Sequence, residues 1–142
     1  MRPLDISSRA LCRLTAVSLA AMGLSVIGAH SASAAYCSED SSVAYSAYGN
    51  SSAWFKNDGD KVFVHDAVAD GHSAVAVVSV EYPNGGGGLY DIVWDRQGAG
   101  TTISVAYGTK MPECTTVHID ACVGTYSTGK YWDCIEARPG IA

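Results

Sequence analysis

The sequence predicts an all-β protein, a small antiparallel β-sandwich or open barrel of about seven short strands with two disulfides. Three observations predict it. From residue 36 onward the chain holds one leucine, Leu89, against twelve valines and eight tyrosines, a vocabulary of strands and not of helices. Apolar and polar residues alternate with the period of two that a pleated, half-buried strand requires. Glycine-bearing breaks (NDGD, ADGH, PNGGGG, RQGAG) recur at roughly ten-residue intervals, as in sandwiches and barrels. No helix longer than one turn is expected.

Residues 1–35 read as a secretory signal and stand apart from the fold. Arg2, Arg9 and Arg13 precede an apolar run from Thr15 to Gly28, and HSASAA ends the segment with small residues at cleavage spacing. No adjacent arginine pair is present, which favours the general secretory route. Bulky Tyr36 directly before Cys37 argues against lipid attachment there. Residues 36–142 then form one secreted β domain, whose Ser- and Ala-rich start, 36–50, reads as a loosely held arm pinned by Cys37.

The strands follow in order. The first covers 52–56, and NDGD turns it, with Asp58 and Gly59 supplying positive φ and Asp60 blunting a strand end. Residues 61–65 return with Val62 and Val64 on one face. After ADGH, residues 73–82 place Ala74, Ala76, Val78, Val80 and Tyr82 on one side. Val75 and Val77 make the other side apolar too, so this strand should be central and covered twice. Residues 89–95 put Tyr90, Ile92 and Trp94 on one face and Asp91 and Asp95 on the other, which counts Trp94 as core. Residues 101–107 alternate Ile103, Val105 and Tyr107 with Thr102, Ser104 and Ala106. Residues 115–123 point Val117, Ile119, Ala121 and Val123 inward, and Gly129 turns the chain into a last strand at 131–136.

That strand reading also decides the cysteine pairing. Cys12 falls in the signal, leaving Cys37, Cys114, Cys122 and Cys134, an even set as in secreted domains. Cys114 and Cys122 share one strand, and eight residues of strand span about 26 Å where a disulfide allows about 7 Å between Cα atoms. A hairpin centred on Thr128 sets Cys122 opposite Cys134, leaving Cys37 for Cys114.

Charge excludes some functions. The whole chain carries a formal charge of −5. Without Arg2, Arg9, Arg13 and Asp5, six cationic side chains face thirteen anionic ones, a charge of −7. The cations are scattered, so neither nucleic acid nor an anionic membrane surface finds a basic patch, and no membrane attachment is expected after signal cleavage.

The stretch NDGDKVFVHDAVADGHS concentrates Asp58, Asp60, Asp66 and Asp70 with His65 and His72. Calcium takes six to eight oxygen ligands, and Asp66 and Asp70, with Asp58 and Asp60 as weaker contributors, are the candidate calcium ligands. No glutamate closes a twelve-residue loop and no helices flank it, so the alternative is two aspartate–glycine turns and no cofactor. Zinc lacks close histidine spacing among His65, His72 and His118. Ser73 follows His72 directly, but neighbours on a strand point apart and no Gly-x-Ser-x-Gly elbow surrounds the serine. His118 and Asp120 share a face with Cys122 that reads as a solvated outer face. Hence no catalytic residue is assigned. Tyr126, Tyr131 and Trp132 are the candidate binding residues, because exposed aromatics mark binding faces.

The segments GDKVFVHD, DGHSAV and CVGTYSTGKYWDC together resemble a group of small secreted actinobacterial proteins of unknown function, over most of residues 50–137. The resemblance implies a compact secreted β domain and no activity. The reading that results is a non-catalytic extracellular binding module whose partner is an extracellular protein or glycan. The alternatives are a calcium-stabilised or carbohydrate-binding module and a small secreted hydrolase using Ser73 with His72 or His118.

Overall fold

The computed structural model describes Cys37 and residues 39–142. The expected signal, residues 1–35, lies outside the described residues. Nine strands run in sequence: β1 (Ala44–Tyr45), β2 (Ser51–Lys56), β3 (Lys61–Asp66), β4 (Ser73–Glu81), β5 (Gly87–Trp94), β6 (Thr102–Ala106), β7 (Thr116–Thr125), β8 (Lys130–Glu136) and β9 (Gly140–Ile141). Seven of them are the expected strands, and β1 and β9 are two-residue additions. Single 3₁₀ turns at Gly108–Lys110 and Tyr126–Thr128 are the helical elements of the described residues. None of these residues forms a helix long and apolar enough to cross a membrane.

The strands make two antiparallel sheets in a sandwich, ordered β1-β2-β3-β6 and β5-β4-β7-β8, with β9 paired to β7. Alternation fills the space between them. Phe55, Val62 and Val64 from one sheet meet Val78, Val117 and Ile119 from the other, all with no exposed surface. Each such side chain stabilises by roughly 1.5–3 kcal/mol when removed from water. β4 is central as expected. Its Val75 and Val77 form a second, smaller cluster with Cys122 on the sheet's outer face, covered by Ile92 and Trp94. Both disulfides form as the strand argument requires, with Cα separations of 4.9 Å for Cys37–Cys114 and 4.1 Å for Cys122–Cys134.

Local readings differ in four places, each for a physical reason. Trp94 is not in the main core. The β4–β5 register shifts between Val78 and Ser79, which pair with Asp91 and Leu89 and leave Tyr90 as the extra residue of a bulge. Past that bulge Val93 is the inward residue, while Ile92 and Trp94 cover the outer cluster. The β7–β8 hairpin holds a second bulge. Val123 pairs with Trp132 but Ala121 pairs with Ile135, and Asp133 takes φ +53° to absorb the extra residue. At the first hairpin, Gly59 and Asp60, not Asp58 and Gly59, take positive φ (+75° and +48°), because the turn spans four residues.

Finally, residues 39–50 are not a loose arm. Ala44 pairs with Ala53, the Phe55 N–H donates to Ser41 Oγ at 2.8 Å, and Glu39 bridges to Ile141. The Ser46 Oγ accepts both the Asn50 and Ser51 N–H groups at 3.1 Å, so short hydroxyl side chains organise this segment.

Candidate functional site

The outer face of the five-stranded sheet divides into an aromatic half and an acidic half. In the aromatic half, Trp94 crosses from the end of β5 over β4 and rests on Gly124 of β7. A Cβ at Gly124 would sit 2.7 Å from Trp94 Cζ3 and 2.7 Å from the Lys130 carbonyl oxygen, so only glycine leaves the ring room. Tyr126 meets Trp94 edge-on at 5.6 Å between ring centroids, and Tyr131 does so at 6.4 Å. The Arg96 guanidinium carbon lies 4.1 Å from the Tyr126 ring centroid, a cation–π contact. Tyr126 is 47% exposed and Tyr131 37%, so the cluster is accessible from outside. A shallow cleft of about 330 Å³ opens beside it, lined by Gly71, Ser73, Arg96, Thr125, Tyr126 and Ser127.

Trp132 does not join this cluster. It pairs with Val123 whereas Tyr131 pairs with Gly124, so the two neighbours face opposite sides of the sheet. Trp132 packs edge-on against His72 at 5.1 Å instead. The four-stranded sheet carries its own cross-strand aromatic pair, Trp54 stacked on Phe63 at 5.1 Å and nearly parallel. The sequence reading did not single out Arg96, Gly124 or Phe63. An isolated glycine within the apolar run of β7 was the available signal, since it marks a close approach.

The acidic half surrounds His118. Its Nδ1–H donates to Glu136 Oε1 at 2.7 Å, and its Nε2 lies 3.8 Å from Glu81 Oε1. Asp120 stands beside them, its carboxyl pushed above the usual carboxylate range by burial and then by Glu136, with His118 opposing. A groove of about 320 Å³ runs over Ser79, Glu81, His118, Asp120 and Glu136. The serine–histidine combinations do not assemble around it. Ser73 pairs with Gly124 and Ser79 with His118, which sets Ser73 and His118 six residues apart along β4, about 20 Å. His72 Nδ1 faces the Thr125 hydroxyl at 3.5 Å.

The aspartates of the Asn57–Ser73 stretch are engaged in turns. Asp66 is 3% exposed, and its Oδ1 accepts the Val68 N–H at 3.2 Å. Burial raises its carboxyl above the usual range, the Val68 bond opposes, and nearby Asp95 and Asp70 add to the rise. Asp70 accepts the His72 N–H at 2.9 Å and Asn50 Nδ2 at 2.8 Å, and the His72 bond holds its carboxyl below the usual range. Asp60 lies across the molecule beside Glu113; burial and then that neighbour raise its carboxyl. Asp58 belongs to the same four-residue turn, 57–60. Among the described residues no group of three or more His, Cys, Asp or Glu is arranged to hold a metal ion. His65 is likewise local, with Nδ1 2.7 Å from the Thr101 carbonyl oxygen.

Comparison with models of protein families, with curated proteins and with solved structures returned no match to this chain.

Proposed function

We propose that the protein is a secreted, non-catalytic binding module whose recognition surface is the aromatic half of the outer face, Trp94, Tyr126 and Tyr131 with Arg96. The observation that carries this reading is the Trp94 ring seated on Gly124. Large aromatics on a small sandwich ordinarily fill its core, and here Phe55 and Tyr107 do so among valines, alanines, Ile119 and Met111. Trp94 and two tyrosines stand outside it, held in fixed mutual orientation. Rigid aromatic side chains give contact area with little ordering cost on binding, which is why they dominate interface energetics. Secretion is supported by the signal-like residues 1–35 and by two disulfides, which persist in oxidising compartments.

Retention of the purified protein on a panel of extracellular polysaccharides and secreted proteins tests the reading. The wild type should be retained by a member of the panel. Retention should fall at least about tenfold in Tyr126→Ala/Tyr131→Ala, as for truncated aromatic anchors. It should survive in Tyr48→Ala, which alters a 76% exposed tyrosine that makes no ring contact with the cluster. Equal retention of all three proteins would place recognition elsewhere.

A further inference from the structure

We propose that the cleft beside Trp94 takes a uronate-bearing glycan, with the sugar against the aromatic wall and its carboxylate on Arg96. This rests on the binding-module reading and narrows it to one ligand class. The first observation is the state of Arg96. Acidic side chains outnumber basic ones in this chain; Lys56 and Arg138 are paired with Asp40 and Glu39 at 2.9 and 3.2 Å, while Lys61 and Lys110 form no ion pair among the described residues. Among the described residues Arg96 makes no ion pair, although carboxylates lie close in sequence and space. Adjacent Asp95 is fully buried, accepting the Gln97 N–H and the Thr101 hydroxyl, each at 2.9 Å. Asp70 is held by Asn50 and His72. Lys130, which pairs with the cleft residue Thr125, also lacks an ion pair among the described residues.

The second observation is how Arg96 is held. The guanidinium carbon sits over the Tyr126 ring. The group's donors radiate in the plane, free to take a carboxylate in the two-pronged geometry that lysine cannot supply. The rest of the cleft asks for more than a point charge. Ser73 and Ser127 bring hydroxyls to a surface that Tyr126 bounds, and Gly71 leaves part of its floor without a side chain. A hydroxyl-rich ring with an apolar face meets both the hydroxyls and the aromatic edges. An acidic peptide side chain would engage Arg96 and leave the remainder unused. A cleft of about 330 Å³ is also at the small end of ligand sites, suited to a ring or two and not to a folded partner.

The test is affinity electrophoresis in chelator through polygalacturonate, alginate and hyaluronate, three uronate polymers of different linkage. The same polymers with carboxylates reduced to alcohols, and polyglutamate, serve as comparisons. The wild type should be retarded by at least one uronate polymer. Its affinity should drop about tenfold or more on the reduced form and in Arg96→Gln, the loss expected for a charge-assisted bidentate contact. It should not be retarded by polyglutamate. Arg96 is exposed, so the variant keeps the fold, which an unchanged melting midpoint confirms. Equal retardation by the reduced polymer overturns the carboxylate assignment and leaves the aromatic surface standing. Equal retardation by polyglutamate overturns the glycan. Retardation by none of the uronates overturns the proposal, and the Tyr126→Ala/Tyr131→Ala retention experiment then decides separately whether the binding surface survives.

Discussion

At the scale of single residues, Gly124 is the position on which the aromatic surface depends. Its φ is unremarkable for a strand, so the requirement is space and not backbone freedom. Gly124→Ala forces Trp94 or the β8 backbone to move, and overpacking of this kind costs roughly 1–3 kcal/mol. We expect a lower melting midpoint together with a changed near-ultraviolet tryptophan spectrum; an unchanged spectrum would mean the β8 backbone yields and the ring does not. Asp66 supplies a second prediction. Burial raises its carboxyl, so the folded state binds the proton more tightly than the unfolded chain does. The associated stability is fully present below the ordinary carboxylate value and is lost as pH rises through the raised one. Asp66→Asn keeps an oxygen for the Val68 N–H while removing the charge. The variant should therefore melt at or above the wild type at pH 7, and the gain of the wild type on acidification should be smaller in it, with Asp60 and Asp120 supplying the remainder. A variant that melts lower at neutral pH would show that the Asp66 charge is compensated. Neither Gly124 nor Asp66 was legible as such in the sequence. In sequence Asp66 is a candidate calcium ligand beside the turn reading, since carboxylate spacing says nothing of its burial or of the Val68 N–H at its Oδ1.

At the scale of elements, the seven longer strands were legible because period-two alternation and turn residues report on the same thing, one buried face between reversals. The bulges were not. A single inserted residue leaves the composition of a strand intact while reversing every face beyond it, so Tyr90 inverts the reading of Trp94 and Asp133 shifts the β7–β8 hairpin. The hairpin bulge still serves the disulfide: the extra residue lets Cys134 reach Cys122, which is itself buried against Val75 and Val77. Closing so short a loop stabilises by roughly 3 kcal/mol on the chain-entropy account. Cys122→Ala/Cys134→Ala should lower the melting midpoint by about 10 °C or more in a domain of this size. It should also weaken the aromatic cluster, since Tyr131 lies on the strand that the disulfide anchors. A drop of only a degree or two would mean that the β-ladder alone fixes β8. β1 escaped the sequence reading because two residues carry no period, and the serines that flank it, Ser41 and Ser46, hold it through their hydroxyls.

At the scale of the whole molecule, the sandwich must be closed along two open sides, and it closes them by different means. On one side the Cys37–Cys114 disulfide and the Glu39–Ile141 bridge tie residues before β1 to the chain around β7 and β9. On the other, the edge strands β6 and β5 belong to different sheets and share no ladder. There Tyr107, just after β6, donates its hydroxyl to Asp91 Oδ2 of β5 at 2.9 Å and packs edge-on against Tyr90 at 5.1 Å. Burial, reinforced by that bond to Asp91, pushes the Tyr107 hydroxyl far above the tyrosine range, so it stays protonated and remains a donor. The Tyr90 bulge is what turns Asp91 toward Tyr107, so one irregularity creates both the outer aromatic surface and the inter-sheet clasp. Tyr107→Phe keeps the ring packing and removes only the hydroxyl, leaving Asp91 without that donor; a hydrogen bond to a charged group contributes about 1.5–3 kcal/mol. In a double-mutant cycle with Asp91→Ala, which removes the acceptor, the coupling measured by denaturant unfolding should be about 1–3 kcal/mol. Coupling below about 0.5 kcal/mol, within the additivity of independent sites, would mean that the edge-on Tyr90 and Tyr107 rings hold this side and the hydroxyl merely finds a partner there.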